Sequence, residues 1–227
     1  MPQRRFLCTY TSFLLALCVM AGIFIAPASW ANEQPYGVVA QCFDGDTVRL
    51  ADGRVVRLTG IDSPEVRHGN KPAQYYAEES KALLESLVLK KTVRLRAVGE
   101  GKDHYKRILA VLELDDGTNV NRLMLEKGAA FAYRHKKHPA NFSQDMLQAQ
   151  RAALQAQRGF WQKILALPAA TEQFIGNKNS GRFFPANSQE SQKIKAKNQQ
   201  PLAGLAQAFE QGFSPARETT FWPTVPQ

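Results

Sequence analysis

Three acids and an arginine fall close together in the chain. Asp46 sits in Phe43-Asp44-Gly45-Asp46-Thr47, Arg57 in Val55-Val56-Arg57-Leu58, and Asp62 and Glu65 in Ile61-Asp62-Ser63-Pro64-Glu65. Carboxylates gathered in one place repel phosphate unless a cation lies between them, and hard oxygen ligands suit Ca²⁺ or Mg²⁺. A divalent ion, an acid that activates water and arginines that take up charge on phosphoryl oxygens are together the equipment of phosphodiester hydrolysis.

The chain supplies its own controls. Asp44-Gly45, Asp52-Gly53 and Asp116-Gly117 are all turn signals. Only the first is followed by a second carboxylate, Asp46, at a strand position where an acid is disfavoured. Such local inconsistencies are expected at functional sites. If Asp52-Gly53 makes a two-residue turn, Val48 faces Arg57 and Asp46 faces Thr59, which puts Asp46 and Arg57 on one sheet face within reach of each other. Pro64 holds Ser63 extended where the next strand ends.

The elements that must position these groups read as follows. Residues 37–62 are three β-rich runs separated by the first two turns. Tyr76 to Lys91 changes to helical spacing, with Ala77, Leu83, Leu84, Leu87 and Val88 on one face. Strands resume at 92–98 and 108–114, and helices are predicted at 120–126 and 144–157. Five strands interrupted by a helix predict a five-stranded β-barrel with three packed helices, of α+β oligonucleotide-binding (OB-fold) type. The predicted core includes Val38, Val48, Leu58, Ile61, Leu84, Val93, Leu95, Leu109, Val111 and Leu123.

Taken together, Phe-Asp-Gly-Asp-Thr, Val-Arg-Leu, Ile-Asp-Ser-Pro-Glu and Asp103-His104-Tyr105-Lys106-Arg107 resemble, in order and spacing, the staphylococcal nuclease-like (thermonuclease) family, over about Val38 to Trp161. The resemblance implies a Ca²⁺-dependent nuclease that cleaves DNA and RNA to leave 3′-phosphates. Carried over by motif, Asp46, Asp62 and the Ser63 carbonyl correspond to metal ligands, and Glu65 to the acid that positions or deprotonates water. Arg57 and Arg107 correspond to the groups that grip the phosphate, and Tyr105 and Tyr133 to the lining of the nucleotide pocket. Mg²⁺ is the alternative ion. The chain departs from the family at Lys106, where Gly is usual and where a side chain puts the aim of Arg107 in question. Ser63 replaces a common Thr, and both the first hairpin and the segment before Tyr133 are shorter.

The formal net charge of +9 points to an anionic partner. Arg4 and Arg5 account for two of the 29 basic residues, leaving a balance of +7 for residues 32–227. Lys102, Lys106 and the run Arg134 to Lys137 are the candidates for holding a strand outside the catalytic centre. His135-x-x-His138 has half a zinc spacing but no completing cysteines or acids, and reads as part of that basic loop. The expectation is a monomer acting on DNA and RNA without a stable protein partner. A catalytically inactive OB-fold module that only binds nucleic acid or another polyanion is the alternative, and the full set of Asp46, Asp62, Glu65, Arg57 and Arg107 argues against it.

Residues 1–31 carry a basic start, an apolar run from Phe13 to Ile25 and Ser29-Trp30-Ala31, the pattern of a signal peptide cut after Ala31, the alternative being an uncleaved anchor, since the stretch is long enough to span a membrane. A secreted or periplasmic protein with no membrane span after cleavage is therefore expected. Only Cys42 remains in the mature chain, in an apolar strand where it reads as a buried small hydrophobe. The expected domain is 32–162. Residues 163–227 turn to Gln, Asn, Ser, Ala and Pro, a composition that predicts a disordered tail, save for a short helix at Leu202, Leu205, Ala206 and Phe209.

Overall fold

The computed structural model describes residues 35–216. Residues 1–31, expected to be a signal peptide, and Phe221-Trp222-Pro223 lie outside the described residues.

The first hairpin is built from β1 (Tyr36–Cys42) and β2 (Thr47–Leu50), and the second adds β3 (Val55–Leu58). A register shift in β1 between Val39 and Gln41 breaks the simple alternation. It leaves Val39 and Cys42 buried, whereas Val38, expected in the core, is 43% exposed. Leu109 and Leu123 are likewise only half-buried, their neighbours Ile108 and Met124 taking the inner positions.

The turn between β2 and β3 also differs from the two-residue form. Leu50 N–H donates to Arg54 O at 2.8 Å and Gly53 N–H to Leu50 O at 3.0 Å, so the loop is Ala51-Asp52-Gly53. Gly53 closes it with φ 89°, the left-handed conformation that a three-residue hairpin loop requires at its last position. The register moves by one in consequence: Arg57 lies opposite Thr47 and Val48 opposite Val56. Asp46 faces Leu58, whose N–H donates to Asp46 O at 2.7 Å.

After β4 (Ile61–Asp62) comes α1 (Ala77–Val88), which buries Ala77, Ser80, Leu84 and Val88 along one face. β5 (Thr92–Lys102) and β6 (Ile108–Glu113) complete a closed barrel in the order β1-β2-β3-β6-β5. β3 pairs with β6 in parallel, and β1 closes on β5 antiparallel. α2 (Val120–Glu126) starts at Asn119, whose side chain accepts from Arg122 N–H. Buried Asn121 pins it to the barrel by accepting from Leu112 N–H at 3.0 Å and donating to Thr59 O at 2.8 Å. β7 (Phe131–Ala132) pairs with β4, and α3 (Ala140–Gln155) packs on α2. No helix among the described residues is long and apolar enough to cross a membrane.

The expectation of disorder beyond residue 162 is corrected for the described part of that segment. α4 (Trp161–Leu165) is followed by β8 (Phe174–Asn177), β9 (Arg182–Pro185), α5 (Gln189–Gln192), β10 (Gln199–Leu202), α6 (Leu205–Glu210) and β11 (Ser214–Pro215). The four strands form a second sheet in the order β10-β8-β9-β11. Composition averaged over a polar stretch hides where its few large side chains fall. Phe174, Phe183, Leu202, Leu205, Phe209 and Phe213 converge with Phe131, Phe160 and Trp161 in one buried cluster. The Phe131 and Phe209 rings stack at 4.8 Å, and Trp161 meets Phe209 edge-on at 4.8 Å. Each such side chain contributes on the order of 2 kcal/mol on burial, which offsets ordering of the polar connections. Gln150 joins the two parts, accepting from Ala132 N–H at 2.7 Å and donating to Phe209 O at 2.6 Å.

Candidate active site

The acids converge because the loop before β2 is pressed against α1. Asp44 Oδ1 accepts from Asp46 N–H at 2.9 Å, closing an Asx turn around Gly45. A Cβ at Gly45 would lie 1.8 Å from Ser80 Oγ and 2.8 Å from Ser63 Cβ, so only glycine allows this approach. Asp46 is thereby driven inward to 4% exposure. Its Oδ2 accepts from Ser63 N–H at 2.6 Å and its Oδ1 from Thr47 Oγ1 at 2.9 Å.

Arg57 ties the acids together. Its Nη1 donates to Leu58 O at 3.0 Å and Ile61 O at 2.9 Å, while Nη2 lies 2.7 Å from Asp62 Oδ1 and 3.0 Å from Asp46 Oδ2. Burial pushes the Asp46 carboxyl up to about 8, against the downward pull of Arg57 and with Asp44 and Asp62 adding to the rise. Burial also opposes the charge on Arg57, but Asp46, Asp62, Asp44 and Glu65 outweigh it and raise its pKa further.

Beside this cluster opens a cavity of about 620 Å³ whose walls include Arg57, Asp62, Lys102, Arg107, Tyr133 and Arg182. Arg107 reaches it from the β5–β6 turn, far along the chain from the acids. Asp103 Oδ2 accepts from Arg107 Nε at 2.7 Å, and Oδ1 accepts from the backbone N–H of Tyr105 at 2.9 Å and of Arg107 at 3.0 Å. Lys106 stands in that turn with φ 64°, the left-handed conformation that favours Gly. The departure from the family pattern therefore falls where backbone strain lies, and Asp103 holds the turn closed around it.

The structure does not gather every expected residue in the cavity wall. Asp46 and Ser63 are buried against Arg57 and Asp62. Glu65 is exposed on the loop after β4, where its charge acts on Arg57 and its N–H donates to Gln74 Oε1 at 2.8 Å. Tyr105 is 61% exposed at the rim, its ring 5.3 Å from the Arg107 guanidinium, and Lys106 is exposed beside it. Tyr133, whose N–H donates to Gly60 O at 2.9 Å, lies in the cavity wall.

Arg182 was not singled out by sequence reasoning. It lies in a polar stretch, and only folding brings β9 to the cavity; Ser180-Gly181 before it signals a turn and nothing more.

The basic loop 134–137 borders a second groove of about 590 Å³, with Arg134, Lys136, Arg151 and Lys178 in its walls. His135 and His138 line both cavities. Both ring nitrogens of His138 are engaged: Nδ1 accepts from His135 N–H at 3.3 Å, so Nε2–H donates to Thr59 Oγ1 at 2.9 Å. Burial pushes His138 down to about 4, and His135 adds to the shift. Cys42 is buried and its thiol pushed up to about 12, chiefly by that burial, which makes it a packing residue.

Two carboxylates and a backbone carbonyl are the donors available for an ion. Among the described residues no group of three or more His, Cys, Asp or Glu side chains is placed to hold one. The donor chemistry nevertheless fits a hard dication. Asp46 is a buried carboxyl whose burial, with Asp44 and Asp62 adding to it, outweighs the pull of Arg57, and Ser63 is held against it through its own N–H.

The chain is similar to known nucleases. The family model described as "Staphylococcal nuclease homologue" matches residues 55–163. An uncharacterized endonuclease of Escherichia coli is 34% identical over 136 residues, covering 59% of this chain and 81% of the relative. One from Haemophilus influenzae is 35% identical over 143 residues, covering 61% of this chain and 73% of the relative. The thermonuclease of Staphylococcus hyicus is 31% identical over 139 residues, covering 60% and 80%.

Proposed function

This chain belongs to the staphylococcal nuclease family and is an endonuclease of that kind, and from that premise we propose a Ca²⁺-dependent, exported enzyme that hydrolyses DNA and RNA to 3′-phosphates. The observation that carries the reading is the convergence of Arg57, Asp62, Arg107 and Tyr133 on one cavity, with Asp46 buried behind.

Asp46, Asp62 and the Ser63 carbonyl are the ligands that would hold the ion. When bound, it supplies the positive charge that lets carboxylates and a phosphodiester share one site. Arg107, aimed by Asp103, and Arg57, held by the Leu58 and Ile61 carbonyls, present donors to the phosphoryl oxygens and stabilise the charge that grows there during attack. Glu65, exposed on the loop after β4 and close enough for its charge to act on Arg57, would accept the proton of the attacking water as the water oxygen bonds to phosphorus; the bond to the 5′ oxygen breaks and that oxygen takes up a proton from solvent. Tyr133 and Tyr105 flank the nucleotide, and Lys102 and Lys106 hold the adjoining backbone.

Calorimetric titration of Ca²⁺ tests the metal half of the proposal. Asp46→Asn and Asp62→Asn should each weaken binding at least tenfold, and wild-type affinity in both would refute the ligand assignment. Export rests on the N-terminal pattern of residues 1–31, and an N-terminus other than Asn32 on the protein recovered outside the cytoplasm would count against the cut after Ala31.

A further inference from the structure

Among the described residues, the segment beyond the family match contributes one side chain to the wall of the active-site cavity, and it is a cation. Arg182, at the start of β9, donates Nη1 to Asp62 Oδ2 at 2.6 Å and to Pro215 O at 2.9 Å. Its guanidinium lies 4.4 Å from the centroid of the Tyr133 ring. Asp62 is thus held on one oxygen by Arg57 and on the other by Arg182.

The ion pair is not needed to dock the C-terminal segment, because the aromatic cluster around Phe131, Trp161 and Phe209 and the Gln150 bridge do that. A part-buried pair contributes little net stability once desolvation is counted. What Arg182 does have is position. Its Nε and Nη2 hold no hydrogen bond among the described residues, and it faces the same cavity as Arg107.

We propose that Arg182 is a third phosphate-binding arginine, which holds Asp62 in the ion-free protein and turns to the substrate phosphodiester when the ion takes that carboxylate. The inference rests on the metal-dependent reading given above. A dication at Asp62 repels the guanidinium now bonded to it, while the incoming phosphate brings negative charge into the same cavity. Stacking on Tyr133 and the bond to Pro215 O keep the guanidinium in the cavity while the pair opens. A planar fork with donors to spare suits two phosphoryl oxygens.

The test pairs steady-state cleavage of a fluorescent single-stranded DNA oligonucleotide with calorimetric titration of Ca²⁺ in the absence of DNA, on wild type, Arg182→Gln and Arg182→Lys. Arg182→Gln should raise KM about tenfold or more and tighten Ca²⁺ binding severalfold, with a near-native melting temperature. Arg182→Lys, which keeps the charge and loses the fork, should fall between the two and carries the test alone if Arg182→Gln does not fold. An unchanged KM overturns the proposal, as does a lower KM with faster turnover, the mark of a contact that only blocks the site. A wild-type protein that binds no Ca²⁺ and cuts no DNA defeats the metal-dependent reading itself, whereas active wild type with indifferent variants defeats only the role of Arg182.

Discussion

Asp103 grips Arg107 at both side chain and backbone, its Oδ2 2.7 Å from Nε and its Oδ1 3.0 Å from the backbone N–H. A guanidinium held in this way enters the cavity already oriented, which is what stabilisation of a growing phosphoryl charge requires. Arg107→Ala should lower kcat/KM by about three orders of magnitude, and Asp103→Ala by roughly one to two, since the arginine remains but loses its aim. The two losses should be strongly non-additive in a double-mutant cycle. Additive effects would mean that Asp103 acts elsewhere.

Lys106 lies between them with φ 64°. A non-glycine residue in this conformation costs on the order of 1 kcal/mol. Lys106→Gly should therefore stabilise the protein by roughly half to 1 kcal/mol, the greater freedom of glycine in the unfolded chain offsetting part of the gain. Chemical denaturation measures it, and a destabilised variant would show that the lysine side chain matters more than the strain. Arg107 should keep its aim in this variant, because the Asp103 contacts do not use the Lys106 side chain.

His138 couples stability to pH. Burial lowers its pKa to about 4, below the unfolded value near 6.5, so between these limits the unfolded chain binds the extra proton. The neutral ring costs nothing above pH ~6.5, and the penalty grows as pH falls, becoming complete below about 4. Over that window wild type should lose about 1–2 kcal/mol more stability than His138→Gln, the full shift being discounted because part of the ring meets solvent. Parallel pH profiles of unfolding for the two proteins would remove the assignment.

The groove lined by Lys136, Arg151 and Lys178 adjoins the active-site cavity through His135 and His138. If the strand runs through it, replacing Lys136 or Lys178 by Gln should raise KM for a long single-stranded substrate and leave kcat within about twofold. Each lost phosphate contact should also flatten the salt dependence of binding by roughly 0.7 in log–log slope. Equal KM values for short and long substrates in wild type would place the strand elsewhere.

The barrel and the stretch that brings Asp46 and Asp62 to Arg57 were legible in the sequence because their signals are local. Two Asp-Gly turns, a strand out of character at Asp46 and a proline after Ser63 all lie within one short stretch. Register was not legible to a single residue, since Asp52-Gly53 begins a two-residue turn and ends a three-residue loop with equal ease, and only the bond from Leu50 N–H to Arg54 O decides. The bulge that exchanges Val38 for Val39 is equally silent, because both are valines. Non-local partners were beyond reach. Arg182 meets Asp62 across 120 positions of chain, and Phe209 finds Phe131 through a segment whose average composition reads as disordered. The left-handed turn at Lys106 was legible only through the resemblance, which marks that position as one where glycine is usual.

On the proposed reading, an ion held by Asp46, Asp62 and Ser63 makes this basic cavity a phosphodiesterase. It is tested most directly by incubating the purified protein with DNA and with RNA in Ca²⁺, in Mg²⁺ and in a chelator, and resolving the products on a gel. Cleavage is expected in Ca²⁺, with its loss in chelator and its return when Ca²⁺ is restored. Cleavage that persists in chelator, or none in either ion, would contradict it.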